Sequence, residues 1–260
     1  MFLSLAPLKE EHKTVDQQTR QALKQDKFVE TTTHGLEWAG EHRKPVILWT
    51  SIVVAAVLVF VIGIVVYNSR QEAASVAFGE AMQTYQTPLA QPDQPVPPGV
   101  KTFPTVAARA KAANEQFLAV ADKYGMMPSG RNSLYFAGIT YMDEGQTQSA
   151  EDTLKKVAGS WDSNLAALAK LALAQLYRST ARDSQAIDLY NQLSAKPTST
   201  VPYGLAQLQL ADLYQAQGNT QKAKDIYASL KDKDAKGPAG EIASQKLNPA
   251  PAMPRLGGAQ

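Results

Sequence analysis

The sequence predicts an all-α chain in which a single transmembrane helix is followed by an α-solenoid of stacked helical hairpins. Three observations carry this. Residues 46–67, VILWTSIVVAAVLVFVIGIVVY, run for 22 residues without a charge. Further on, a small residue, a tyrosine, a turn residue and a second small residue recur at intervals of 36 and 37 residues. Between residues 105 and 247 no segment alternates apolar and polar residues with the period of two that a half-buried strand needs.

Composition narrows the chemistry. The 260 residues hold 26 Lys and Arg against 24 Asp and Glu, a formal net charge of +2. Basic residues spread beside nearly as many carboxylates make no basic face, so nucleic acid is not an expected partner. There is no cysteine, which removes disulfides, thiolate metal sites and thiol nucleophiles. His12, His34 and His42 all precede the apolar run, leaving the rest of the chain without an imidazole for acid–base work or metal binding. No Gly-rich phosphate loop or nucleophile elbow is present, and the neighbouring carboxylates Asp143 and Glu144, or Glu151 and Asp152, diverge on a helix. No catalytic residue, metal or cofactor is expected.

Residues 1–45 read as a cytoplasmic N-terminal segment, partly an amphipathic helix. Ala22, Leu23, Phe28, Val29, Leu36 and Trp38 give patchy helical periodicity rather than a core of their own. Leu36 and Trp38 suit the lipid headgroup region, with Arg43 and Lys44 meeting anionic lipid.

Residues 46–67 rise about 1.5 Å each as a helix and so cross a hydrocarbon layer roughly 30 Å thick. Trp49 and Tyr67 sit near the two ends, where interfacial aromatics collect. The rival reading is a cleaved signal peptide, with SVA at 75–77 as the cleavage pattern. The apolar run is longer than the roughly 7–15 residues of a signal's apolar region, and the segment ahead of it exceeds the usual basic leader, so a retained anchor is expected. Arg43 and Lys44, backed by Lys24 and Lys27, outweigh Arg70 on the other flank. That asymmetry puts the N-terminus in the cytoplasm of a bacterium and the C-terminal part in the periplasm, on a single pass through the inner membrane. Ser51 and Ala55 form a small-residue step that would let another membrane helix approach.

Residues 68–86 continue the helix out of the membrane, with Ala74, Phe78, Ala81, Met82 and Tyr85 on one face. Residues 87–104, TPLAQPDQPVPPGVKTFP, are proline-rich; prolines fix φ and remove donors, so an extended loop is expected. Residues 105–247 read as helix after helix, broken at YGMMPSG, DEGQTQS, AGSWDSN, SAKPTSTVP and AQGNTQ. GEIASQKL reads as a closing helix, and residues 248–260 as a disordered tail.

The helical part is periodic. Aligning Tyr141, Tyr177 and Tyr214 brings Gly138, Ala174 and Ala211 into register, then Gly145, Ala181 and Gly218, then Ala150, Ala186 and Ala223, then Leu154, Tyr190 and Tyr227. A half-copy stands upstream, where Ala113, Phe117 and Val120 precede Ala150, Leu154 and Val157 by 37 residues. Small residues permit close helix crossings, and large ones fill the layer between them. One hairpin cannot bury its own faces, so the hairpins must stack.

At these residues the sequence resembles the tetratricopeptide repeat, whose pattern maps onto LADLYQAQGNTQKAKDIY. It departs from that pattern where the early tryptophan is replaced by Leu134, Lys170 and Gln207, and in repeats two or three residues longer than usual. In such arrays the first helix of each hairpin lines a concave groove. The resemblance therefore implies partner-binding roles for Asn132, Tyr135, Ile139, Met142 and Asp143, for Leu168, Leu171, Gln175, Arg178 and Ser179, and for Leu205, Leu208, Asp212 and Gln215. The groove they would form is mixed, suited to an extended or helical polypeptide; the carboxylate clamp of cytosolic chaperone-binding repeats is not visible.

Taken whole, the basic-ended N-terminal segment, the ALKQDKF and GLEWAGEHRKPV approach to the span and the repeats beyond it are similar to the YfgM-like family. That resemblance implies a non-enzymatic ancillary subunit of the SecYEG translocon, with a membrane-anchored PpiD-like chaperone and translocated client polypeptides as partners. The alternative is a cell-envelope scaffold or adaptor serving a division, outer-membrane assembly or cytochrome-maturation machine.

Overall fold

A computed structural model of the chain describes residues 43–91, 99 and 101–248. The expectations for residues 1–42, for the middle of the proline-rich loop and for the tail 249–260 lie outside the described residues. Among those described there are nine α-helices and no strand: α1 (Arg43–Tyr85), α2 (Val106–Tyr124), α3 (Pro128–Asp143), α4 (Thr147–Ala158), α5 (Ser163–Ser179), α6 (Asp183–Ala195), α7 (Tyr203–Ala216), α8 (Thr220–Lys233) and α9 (Pro238–Leu247). The chain divides into two units, Met1–Val66 and Tyr67–Gln260.

The described part of the first unit is the apolar stretch of α1, which is long and apolar enough to cross a membrane. Its large side chains, Ile47, Trp49, Val53, Val59 and Phe60 among them, point outward on every side and none is buried. A helix that is apolar all round with nothing packed on it requires an apolar surrounding. Within this stretch the Ser51 hydroxyl is answered locally, its Oγ donating to the Leu48 carbonyl at 2.8 Å.

In the second unit each helix from α2 onward packs against the next in sequence, and the further packings are α3 with α5 and α7 with α9. That nearest-neighbour order is what a solenoid of hairpins produces. Starts of helices are fixed by local chemistry. Thr105 Oγ1 accepts from the Ala108 amide at 3.1 Å, and Asp162 Oδ1 accepts from the amides of Asn164 and Leu165, both at 3.1 Å. Pro128 and Pro238 open α3 and α9, where a missing amide costs nothing.

The reversals inside the three hairpins are the same turn made three times. Gln146, Arg182 and Asn219 donate their amides to the carbonyls of Tyr141, Tyr177 and Tyr214 at 2.8, 2.7 and 2.9 Å. The residues just before them, Gly145, Ala181 and Gly218, donate to Met142, Arg178 and Gln215 at 3.0, 3.2 and 3.1 Å. This paired closure needs a left-handed residue, and the three φ values are +75°, +55° and +78°. Glycine takes that conformation freely; Ala181 does so against the clash of its Cβ with the backbone.

The aligned layer residues are fully enclosed: Leu154 and Tyr190 have no exposed surface and Tyr227 keeps 2%. Opposite Leu154 stands Gly138, where an added Cβ would come within 2.7 Å of the leucine's side chain. Leu154, Leu173, Tyr177, Tyr190, Leu193, Val201 and Leu210 belong to the main core, and Tyr227, Leu230 and Ala243 to a second one beneath α9. The upstream half-copy finds its other half in residues of α1 beyond Tyr67. Phe78 and Tyr85 meet Phe117 at 5.9 and 6.3 Å between ring centroids, and Phe136 stacks on Phe117 at 5.4 Å. Beyond α1, Leu89 and Phe103 form an isolated bridge in which the Ala90 amide donates to the Phe103 carbonyl at 2.8 Å.

The three turns give an internally controlled test. Ala181→Gly is expected to raise unfolding stability by about 0.5–1 kcal/mol, while Gly145→Ala and Gly218→Ala each lower it by about 1 kcal/mol. Chemical denaturation of the three variants reads the signs; equal signs at all three positions would show that the left-handed residue is not what limits the turn.

Candidate partner-binding groove

The residues expected to face a groove lie on α3, α5 and α7, and their surroundings differ. Asn132 and Tyr135 are half-buried; the Tyr135 ring meets Phe136 edge-on at 5.3 Å, and burial pushes its hydroxyl pKa up. Ile139, Met142, Leu168, Leu171 and Leu205 are half-buried and packed against the main core. Leu208 is buried at 9% exposure in the C-terminal core with Ala223, Tyr227 and Ala239, so it packs beneath α8 and α9 rather than facing solvent.

Asp143, Asp212 and Gln215 are engaged by neighbours. Asp143 Oδ2 accepts from the Tyr85 hydroxyl at 2.8 Å; burial first and that carboxylate second push the Tyr85 pKa up to about 12. Asp212 Oδ1 accepts from the Tyr227 hydroxyl at 2.6 Å and from Lys246 of α9 at 3.0 Å. Gln215 Oε1 lies 3.2 Å from the same hydroxyl. The closing helix thus ties down Asp212, while Gln215 is met from α8.

What remains open is on α5. Gln175 and Ser179 are exposed, and Arg178 Nη1 donates to Gln209 of α7 at 3.3 Å. Gln175, Arg178 and Ser179 line a cavity of about 610 Å³ together with Ala181, Asp183, Leu213, Ala216 and Gln217. Its far wall was not read from the sequence: Gln217 Nε2 donates to Asp183 Oδ2 at 2.8 Å, joining the turns of the second and third repeats across the opening. The signal that could have found it is the turn alignment itself, since Asp183 and Gln217 flank the Ala181 and Gly218 turn positions.

A second polar centre lies between the first and second repeats. Glu151 of α4 has 6% of its surface exposed, yet its carboxylate takes Lys155 Nζ at 2.7 Å, Arg182 Nη1 at 2.7 Å and the Tyr177 hydroxyl at 3.1 Å. The Lys155 ammonium foremost, with Arg182 and Tyr177, holds its pKa down to about 2 against burial, which acts the other way. Arg182 also lies over the Tyr177 ring, 4.4 Å from its centroid. Arg182 is the residue that closes the strained Ala181 turn, so the first repeat holds the second repeat's turn in place. Asp152 beside it is exposed, as two adjacent carboxylates on one helix must diverge. Among the described residues no group of three or more histidine, cysteine or carboxylate side chains could hold a metal ion.

The profile of the tetratricopeptide repeat-like domain matches residues 46–250. The chain belongs to that family. Two solved structures have the same fold: the nearly identical TPR-like repeats of a Podosopora anserina protein assigned as a kinesin light chain, and their Q17M form. Each is 19% identical, with a TM-score of 0.50 over 68% of this chain and 84% of the other. No curated protein matches the chain. The tetratricopeptide repeat-like fold makes the helical unit a protein-interaction scaffold.

Buried tyrosines at one repeat position supply a test of the polar network. Tyr227 and Tyr190 are aligned, but the Tyr190 hydroxyl has no hydrogen-bond partner among the described residues; Arg178 lies near enough to oppose the rise in its pKa that burial causes. Tyr227→Phe is expected to cost about 1–2 kcal/mol, and Tyr190→Phe to be neutral or stabilising, when both are unfolded in denaturant. Equal losses would mean that the ring positions, not the hydroxyls, set the difference.

Glu151→Gln is expected to cost about 1–2 kcal/mol near neutral pH, because its two cations stay partly solvated and are screened. Its carboxyl pKa lies below the unfolded value, so the stabilisation is full above about pH 4.5 and is lost as pH falls toward 2. The variant's acid unfolding curve should be flatter than the parent's across that window; an unchanged slope would remove Glu151 as its source.

Proposed function

We propose that this chain is a membrane-anchored protein-interaction module, held by residues 46–67 and working through a repeat domain of residues 105–247, with no catalytic role of its own. The observation that carries this reading is the tetratricopeptide-like array with a cavity open between α5 and α7, in a chain that also holds an apolar helix of spanning length. Gln175, Arg178 and Ser179 form its contact surface with Asp183 and Gln217, and Asn132 and Tyr135 extend it along α3. A cavity that mixes amide, guanidinium and carboxylate groups with Ala181, Leu213 and Ala216 fits the backbone amides and small side chains of an extended polypeptide. It does not suit a densely charged segment.

The assembly served is proposed to be the Sec translocon. On this reading the chain is an ancillary subunit of SecYEG at the bacterial inner membrane, N-terminus cytoplasmic and repeats periplasmic. It passes translocated clients toward a membrane-anchored PpiD-like chaperone. Support comes from the YfgM-like arrangement of the sequence and from Arg43 and Lys44 at one flank of the apolar run, against Arg70 alone on the other.

Photo-crosslinkers placed at Val54 in the apolar run and at Gln175 in the cavity, in native membranes, test both levels of the proposal. Translocon subunits trapped from Val54 together with a chaperone or nascent chain from Gln175 are the expected result, and Arg178→Ala should reduce the second without changing the first. Crosslinks from both sites to division, outer-membrane assembly or cytochrome-maturation proteins would instead assign the module to that machine. Failure to trap any polypeptide from Gln175 would remove the cavity as the contact surface.

A further inference from the structure

Among the described residues the turns α2–α3 and α4–α5 hold the two most exposed large apolar side chains outside the apolar run: Met126 at 88% and Trp161 at 82%. They belong to one patch. The Arg131 guanidinium lies over the Trp161 ring, 4.6 Å from its centroid, and its Nη1 donates to the Met126 carbonyl at 2.8 Å. Arg131 and Lys156 line a common cleft of about 90 Å³ with Leu134, Val157 and Leu165, and no carboxylate lines it. Among the described residues neither cation has an ion-pair partner, and Arg131 Nε is buried without an acceptor. Asp162, the acid next to Trp161, is committed to the amides that start α5.

An indole and a thioether projecting into water above two unpaired cations present opposite needs within one small area. An anionic lipid interface meets both: the ring and the methionine enter the headgroup layer, and lipid phosphates take the charges. A protein partner fits less well. A stable protein interface needs about 800 Å² on each side, which two side chains do not supply. A chain already anchored in a bilayer faces its lipids at high effective concentration, so a weak contact suffices. We propose that this edge of the repeat unit docks on an anionic lipid surface, with Trp161 and Met126 inserted among the headgroups and Arg131 and Lys156 holding lipid phosphate. This rests on the membrane-spanning reading of residues 46–67.

The test uses the full chain carrying Trp38→Phe and Trp49→Phe, so that Trp161 alone reports, reconstituted in phosphatidylcholine vesicles with and without phosphatidylglycerol. Flotation reads insertion of the apolar run separately. Docking predicts quenching of Trp161 by brominated lipid and protection from aqueous iodide when phosphatidylglycerol is present, both fading at high salt. Arg131→Gln and Lys156→Gln should each weaken the docked fraction about fivefold, with the helical circular dichroism spectrum unchanged. Chains that float while Trp161 stays open to iodide in both lipids overturn the docking and spare the anchor. Protection that arises only on adding a purified protein partner overturns it in favour of a protein contact, and chains that do not float sink the anchor and the docking together.

Discussion

Each of the three hairpins from α3 to α8 reverses on one left-handed residue whose follower's amide reaches back to a tyrosine carbonyl. The rest of the architecture depends on that closure. It brings the second helix back along the first at a fixed distance from the tyrosine, and the aligned small residues Ala150, Ala186 and Ala223 of the second helices and Ala174 and Ala211 of the first are all buried. Close approach of the small residues then forces a large side chain, Leu154, Tyr190 or Tyr227, into the layer between hairpins, where each is enclosed. Only the second turn departs from glycine, and it is also the one gripped from outside by Glu151 through Arg182. A locally unfavourable backbone persists where surrounding contacts over-determine it.

Polar groups inside the array divide by how they are answered. Tyr85 and Tyr227 hand their hydroxyls to Asp143 and Asp212, and Tyr177 hands its own to Glu151. Each of those acceptors belongs to a different helix from its donor, so the polar bonds stitch neighbouring helices together after the apolar layers have set their spacing. Asn114 does the same for α2 and α3, donating to the Ala137 carbonyl at 3.0 Å and to Thr140 at 2.8 Å. Buried polar groups matched in this way favour one register over others of similar apolar burial.

The periodic part of the molecule was legible because its causes are local. A turn needing glycine, a crossing needing a small residue and a layer needing a large one leave marks at fixed offsets, and Tyr141, Tyr177 and Tyr214 sit at the same point of the same turn. The open surface was less legible because it depends on what covers each repeat. Leu208 holds the family's groove offset as faithfully as Leu171, but the third repeat is followed by α9, and Lys246 reaches back across it to Asp212. The burial of Glu151 was unreadable for a similar reason: two of its partners come from 26 and 31 residues away. Phe78 and Tyr85 could be placed on one helix face, while their meeting with Phe117 and Phe136 depended on the chain's return after the proline-rich loop.

Because the packing in the repeat unit is almost wholly between successive helices, its resistance to force is serial rather than shared. A load on one end would peel a single helix or hairpin from its neighbour and leave the remainder intact, in contrast to a sheet whose strands must shear together. Its response to a pull is therefore compliant. Tension would lengthen it by steps of one hairpin, and the shallow loop-closure entropy of each short turn would let those steps reverse.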